Sequence, residues 1–160
     1  MSEAYQETLE GEIVQRSAPG ARHEIICQRL QDRIQASVAN VSCCQLLGLR
    51  SEVRLSARTT VRPDVALVAM PTAKLWLAVE VIQSGDHHAD TVRKKQIYED
   101  LKLARLWMVD PRYNNVEVYH ATEHGLVLKG ILAGKEMLTE KLLPAFQISV
   151  AALFESLPPG

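Results

Sequence analysis

The sequence predicts an α/β fold of the α+β kind, with helices packed on one mixed sheet. Three observations predict it. Residues 62–82, RPDVALVAMPTAKLWLAVEVI, read as two strands joined by a turn at Pro71-Thr72-Ala73-Lys74. Both strands are nearly continuous in apolar residues, as strands covered on both faces are. Residues 21 to about 40 place Ile26, Leu30 and Ile34 four apart, a helical spacing. Finally, the second of those strands is followed by a helical pattern and another apolar run, which predicts a right-handed crossover to a parallel neighbour.

The elements follow in chain order. ETLEGEIVQR, from Glu7, reads as a short strand or a tight hairpin about Glu10-Gly11, and Ser17-Ala18-Pro19-Gly20 breaks the chain. In the first helix His23 lies three residues before Ile26 and four before Cys27, on or near the buried stripe. Glu24 aligns with the polar side. Residues 41–48 are ambiguous. Residues 50–56 alternate, with Val53 and Leu55 facing one way and Glu52 and Arg54 the other. A second helix is expected over residues 90–103, with Ile97, Tyr98, Leu101 and Ala104 as its apolar stripe. Leu106 to Val109 forms the next buried strand, stopped by Asp110-Pro111. VEVYHA and LVLKGILA, after Asn114-Asn115 and Gly125, form a C-terminal β-hairpin extension. FQISVAALFESL supplies a short strand or turn and a small helix before a Pro158-Pro159-Gly160 tail.

A chain of 160 residues points to one domain, 1–160, with a sizeable core. Its 18 Lys plus Arg against 19 Asp plus Glu leave no overall basic excess, which argues against indiscriminate nucleic-acid binding but leaves room for a local basic face. No apolar run nears the ~20 residues of a membrane span. MSEAYQETLEGE does not resemble a secretory signal, so a cytoplasmic location is expected. Cys27, Cys43 and Cys44 have no CxxC spacing and form no disulfide framework. Cys27 reads as a small core residue.

Two carboxylates interrupt the hairpin of residues 62–82. If it folds about Thr72, paired residue numbers sum to 144, and Asp64 lies opposite Glu80. Cβ atoms of such a pair are roughly 4.5–5.5 Å apart. Two carboxylates that close repel unless a proton or cation lies between them. Hard oxygen ligands suit Mg²⁺ or Mn²⁺. The competing reading pairs the acids, at frayed strand ends, with arginines such as Arg62. Ala66 and Ala78 pair beside the acids and leave space, and Val68 is expected to face Trp76. Lys94 precedes Ile97 by three and Tyr98 by four, which puts it on the buried stripe of the second helix. There it could orient or deprotonate a metal-bound water, or stabilise a phosphorane-like transition state.

Taken together, Pro63-Asp64, Val79-Glu80-Val81, Lys94-x-x-x-Tyr98 and Leu106-Trp107-Met108-Val109-Asp110-Pro111 resemble the Uma-type restriction endonucleases, bacterial proteins of the PD-(D/E)XK nuclease superfamily. His23 after its Pro-containing break, the VEVYH strand and LLPAFQISVAALF add to the likeness, which covers residues 8 to 155 or so. The resemblance implies a restriction-endonuclease-like αβββαβ core that binds Mg²⁺ (or Mn²⁺) and hydrolyses DNA phosphodiesters. Asp64 and Glu80 match the metal-binding acids, and the Val81 carbonyl matches the backbone ligand. The superfamily's simplest pattern has a Lys two residues after the second acid. Ile82 stands there, and Lys94 matches the place on the following helix to which the basic residue has moved. His23 matches a helix position that faces the site. The family's Ser-Pro-Ser type turn is replaced by Gln83-Ser84-Gly85-Asp86. That change leaves a second reading open, a degenerate nuclease-fold module acting in DNA binding or protein assembly.

DNA is the expected partner, and a homodimer is expected from the two sites that double-strand cleavage needs. Asp86-His87-His88-Ala89-Asp90 offers metal-binding residue types, but reads better as a helix start capped by Asp86 or Asp90. Arg50, Arg54, Arg58 and Arg62 share strand parity with Asp64 and form either phosphate contacts or a solvated edge. Gln83 is either a group within reach of metal-bound water or phosphate, or the polar end of its strand.

Overall fold

The computed structural model describes residues 2–159. Met1 and Gly160, the last residue of the expected tail, lie outside the described residues. The elements are β1 (Tyr5–Leu9), β2 (Glu12–Arg16), α1 (Ala21–Val38), β3 (Cys44–Leu46), β4 (Val53–Ser56), β5 (Thr59–Val61), β6 (Val65–Ala69), β7 (Lys74–Val81), α2 (His88–Asp100), β8 (Arg105–Asp110), β9 (Asn115–Thr122), β10 (Gly125–Ala133), β11 (Met137–Glu140), β12 (Leu143–Ser149) and α3 (Val150–Phe154). A mixed sheet runs β10-β9-β8-β7-β6-β3, with β7 and β8 parallel as the crossover through α2 requires. This is a restriction-endonuclease-like arrangement of mixed sheets flanked by helices.

The central sheet is covered on both faces. Val65, Leu67, Leu77 and Val79 face α1, α3 and the β11–β12 hairpin. Ala66, Val68, Leu75 and Ala78 face α2 and a second sheet, β2-β1-β5-β4. Burial on both sides explains why β6 and β7 read as continuous apolar runs.

Several local expectations are corrected. The pairing sum of 144 holds for Val65↔Val79, Ala66↔Ala78 and Leu67↔Leu77. Beyond Leu67 a β-bulge shifts it, and Val68 pairs with Leu75. Trp76, expected opposite Val68, is the extra residue and packs into the core on the α1 side. One added residue reverses the facing of everything beyond it. Helix α2 ends at Asp100, so Leu101, expected on its buried stripe, is its C-cap and lies 37% exposed. Neither Asp86 nor Asp90 caps it, because the N-cap is His87 without a side-chain hydrogen bond. Instead, Asp86 accepts the Gln83 N–H at 2.9 Å. The segments β5 and β11 form strands that the sequence pattern does not show. No described helix is long and apolar enough to cross a membrane.

Candidate active site

The site forms at the end of the central sheet where both covering layers reach the strands. Asp64 ends the loop entering β6, while Glu80 lies near the end of β7. α1 brings His23 from one layer, and α2 brings Lys94 from the other. All four line one pocket, with the Val81 backbone at its wall.

Asp64 is held by three groups. The Val81 N–H donates to Oδ2 at 2.8 Å, Arg50 donates to Oδ1 at 3.1 Å, and His23 Nε2 lies 3.3 Å from Oδ1. His23 Nε2 is also 3.2 Å from the Val81 carbonyl oxygen, while its Nδ1 faces the Cys27 sulfur at 3.6 Å. Arg50 is anchored in turn by Glu24 at 2.5 Å. Glu80 has different partners: Lys94 Nζ at 2.5 Å and the Tyr98 hydroxyl, which donates at 2.9 Å. The two acids therefore do not share one cation. Each has its own, Arg50 for Asp64 and Lys94 for Glu80.

A third acid completes the cluster. Glu7, on β1, is 1% exposed. It binds Lys94 at 2.6 Å and Arg16 at 2.8 Å, and accepts the Arg62 N–H at 2.7 Å. Glu7 has no site role in the sequence reading, and Tyr98 enters it as a stripe and motif residue, not as a partner of Glu80. The available signal for Glu7 is parity with Leu9 on a short strand, which is weak in the acidic stretch ETLEGE. Arg50 is foreseen only as a strand arginine, whereas it sits in a turn at φ 53°. Of its companions, Arg58 holds the Glu10 carbonyl at 2.8 Å and Arg62 pairs with Glu52 at 3.5 Å, so neither joins the site. Gln83 accepts the Gly20 N–H at 3.2 Å and thereby ties the start of α1 to the loop after β7.

The electrostatics separate the two acids. Burial works to raise the Asp64 carboxyl, but the hydrogen bond and charge of His23, the Val81 N–H and Lys94 together hold it below the usual range. Burial pushes Glu80 up to about 7, with the Glu7 and Asp64 carboxylates adding to it against the pull of Lys94. Lys94 remains an ammonium, because Glu80 and Glu7 outweigh the burial that would lower it. Burial lowers His23, but the hydrogen bond and charge of Asp64, with the charge of Glu24, together outweigh it and leave His23 raised.

A pH prediction follows from Glu80. A group whose folded value lies above its unfolded value contributes stability at low pH and loses it as pH rises through the folded value. For a shift from 4.5 to about 7, the amount is about 3 kcal/mol. Metal-free protein is expected to lose stability between about pH 5 and pH 8, and Glu80→Gln to flatten most of that loss. Thermal unfolding with a chelator checks this. An equal loss in both proteins would assign the titration elsewhere, His23 being the next group with the same sign.

The donor set fits a hard divalent ion. Asp64, Glu80 and the Val81 carbonyl offer only oxygen, and among the described residues Oε2 of Glu80 takes no hydrogen bond. Asp86, His87, His88 and Asp90 form no metal-ligand cluster among the described residues.

No curated protein matches the chain. In fold it is similar to a solved chain from Anabaena variabilis, described as a putative nuclease belonging to DUF820, with a TM-score of 0.76 and 14% identity over 93% of this chain and 89% of that one. At that identity the likeness carries the fold alone. The model of the Uma2 family, described as putative restriction endonuclease, matches residues 2–151, from β1 into α3, and the chain belongs to that family.

Proposed function

We propose that the protein is a Mg²⁺- or Mn²⁺-dependent endonuclease that hydrolyses DNA phosphodiesters, and that it works as one domain, as a homodimer, in the bacterial cytoplasm. Nucleases of this kind usually depend on a metal. The observation that carries the reading is the meeting of Asp64, Glu80 and Lys94 in one pocket.

Asp64, Glu80 and the Val81 carbonyl would hold the ion. A divalent ion so held supplies a Lewis acid for the phosphoryl oxygen and a water acidic enough to attack at neutral pH. Asp64 stays ionised and so is ready to ligate, whereas Glu80 gives up its proton to do so. Lys94 acts as a donor rather than a base, because its ammonium is the stable form. With Glu80 serving as a ligand, Lys94 would keep Glu7 as its anchor and would donate a hydrogen bond to a phosphate oxygen, where negative charge builds during attack. His23 orients Asp64 through Oδ1 and steadies the Val81 carbonyl.

The test is incubation with plasmid and linear DNA in Mg²⁺, Mn²⁺ and chelator. Metal-dependent cleavage is expected, together with calorimetric Mn²⁺ binding that Glu80→Ala removes. Mn²⁺ binding without cleavage of either substrate would favour the degenerate, DNA-binding or assembly module. Absence of both would remove the metal site as well.

A further inference from the structure

One buried side chain beside the pocket, the Cys27 thiol, has no part in the proposed hydrolysis. We propose that His23, Cys27 and Asp64 form a second metal site, for a thiophilic divalent cation such as Zn²⁺, which competes with the hydrolytic site for Asp64. The competition rests on the nuclease reading, whereas the binding does not.

His23 and Cys27 are four residues apart on α1, so their side chains are neighbours on one helical face. Cys27 Sγ lies 3.6 Å from His23 Nδ1. Across a tetrahedral zinc, with Zn–S of ~2.3 Å and Zn–N of ~2.0 Å, the two donors stand about 3.5 Å apart. The pair is thus already at the span that a bound ion would impose. An Asp64 carboxylate oxygen completes the set, all three donor atoms lying within 4.8 Å of one another.

The chemistry of the donors selects the ion. A thiolate and an imidazole favour Zn²⁺ or Co²⁺ over Mg²⁺, which prefers the all-oxygen set next door. His23 is oriented for the task. In the neutral tautomer with Nε2–H on the Val81 carbonyl, its Nδ1 would present a lone pair towards Cys27. The ion replaces the thiol proton, which passes to solvent, and a sulfur–metal bond forms with no change of oxidation state. The charges balance, since the thiolate and Asp64 offset the ion. Arg50 Nη1 lies 3.8 Å from the sulfur and 3.1 Å from Asp64, so the ion would take its place between them while Arg50 turns to Glu24, 2.5 Å away. Water fills the fourth position. His23 and Asp64 both line the pocket, which gives the ion a route to Cys27, itself fully buried.

Because Asp64 cannot orient to both ions at once, zinc at this site withdraws a ligand from the hydrolytic set. Zinc inhibition is then a property of Cys27, a residue the hydrolysis does not need.

Co²⁺ titration of the full chain tests the binding. Wild type is expected to show a near-ultraviolet sulfur-to-cobalt band saturating at one ion per chain. Cys27→Ala should lose the band and Glu80→Gln should keep it. Should the alanine variant unfold, Cys27→Val, closer in volume, takes its place. No band in wild type, or a band unchanged by the Cys27 substitution, would overturn the site; the latter result would point to Cys43 and Cys44. In the cleavage assay, Cys27→Ala should keep its rate in Mg²⁺ alone and raise the Zn²⁺ concentration for half-inhibition about tenfold or more. An unchanged zinc response would overturn the competition. If the DNA is never cut, the cobalt band still decides the site. If Mg²⁺-dependent cutting is found without the band, this inference falls and the nuclease reading stands.

Discussion

In Mg²⁺, the Asp64→Ala protein is expected to cut plasmid DNA at least about 10³-fold more slowly than wild type. Asp64 is the acid kept ionised by its surroundings, so no neighbour can take over its place as a ligand. The same change should cost about 3–5 kcal/mol of stability, the usual result of breaking a buried charge pair. The Val81 N–H loses its 2.8 Å acceptor, and Arg50 and His23 each lose a partner. Asp64→Asn separates the two effects. It keeps an acceptor for the Val81 N–H and should recover part of the stability, while cleavage stays lost. Plasmid nicking and denaturant unfolding read the two quantities. Cleavage at the wild-type rate in either variant would mean that the site is wrongly placed.

Glu7→Gln is expected to cost ~3–5 kcal/mol when made alone in the wild-type chain. Glu7 is the most buried charged group of the cluster and faces two cations, Lys94 and Arg16. Removing its charge leaves positive charge in excess within a closed pocket. The double variant Glu7→Gln, Lys94→Met should regain part of that loss, because the orphaned ammonium goes with it. Urea unfolding of the four proteins gives the coupling. A loss below about 1 kcal/mol for Glu7→Gln would class the contact with exposed ion pairs, not buried ones.

The parts of this molecule that are legible in sequence are those whose periodicity one residue can reveal. Asp64 and Glu80 stand out because a carboxylate in a doubly covered strand breaks an apolar run. Lys94 stands out because Ile97 and Tyr98 fix its side of α2. The crossover from β7 to β8 follows from the strand–helix–strand order alone. Glu7 is hidden because the β1–β2 hairpin joins β5 by a single pairing, Thr8↔Thr60, far away in sequence. Arg50 is hidden because its left-handed turn conformation is not expected of an arginine and breaks the strand parity that included it. Leu101 is misplaced because apolar spacing continues past the last helical residue. Tertiary contacts, not local pattern, decide each of these three.

The bulge at Trp76 gives the β6–β7 hairpin a slack joint. The end next to Asp64 and Glu80, Val65 to Leu67 against Leu77 to Val79, keeps one pairing sum, and Val68 and Ala69 against Leu75 and Lys74 keep another. A residue gained or lost at the tip is expected to be absorbed at the joint, with Val65 to Leu67 keeping their partners. Variation, a grafted recognition loop or a covalent label belongs at that tip, because the hairpin isolates it from the chemistry.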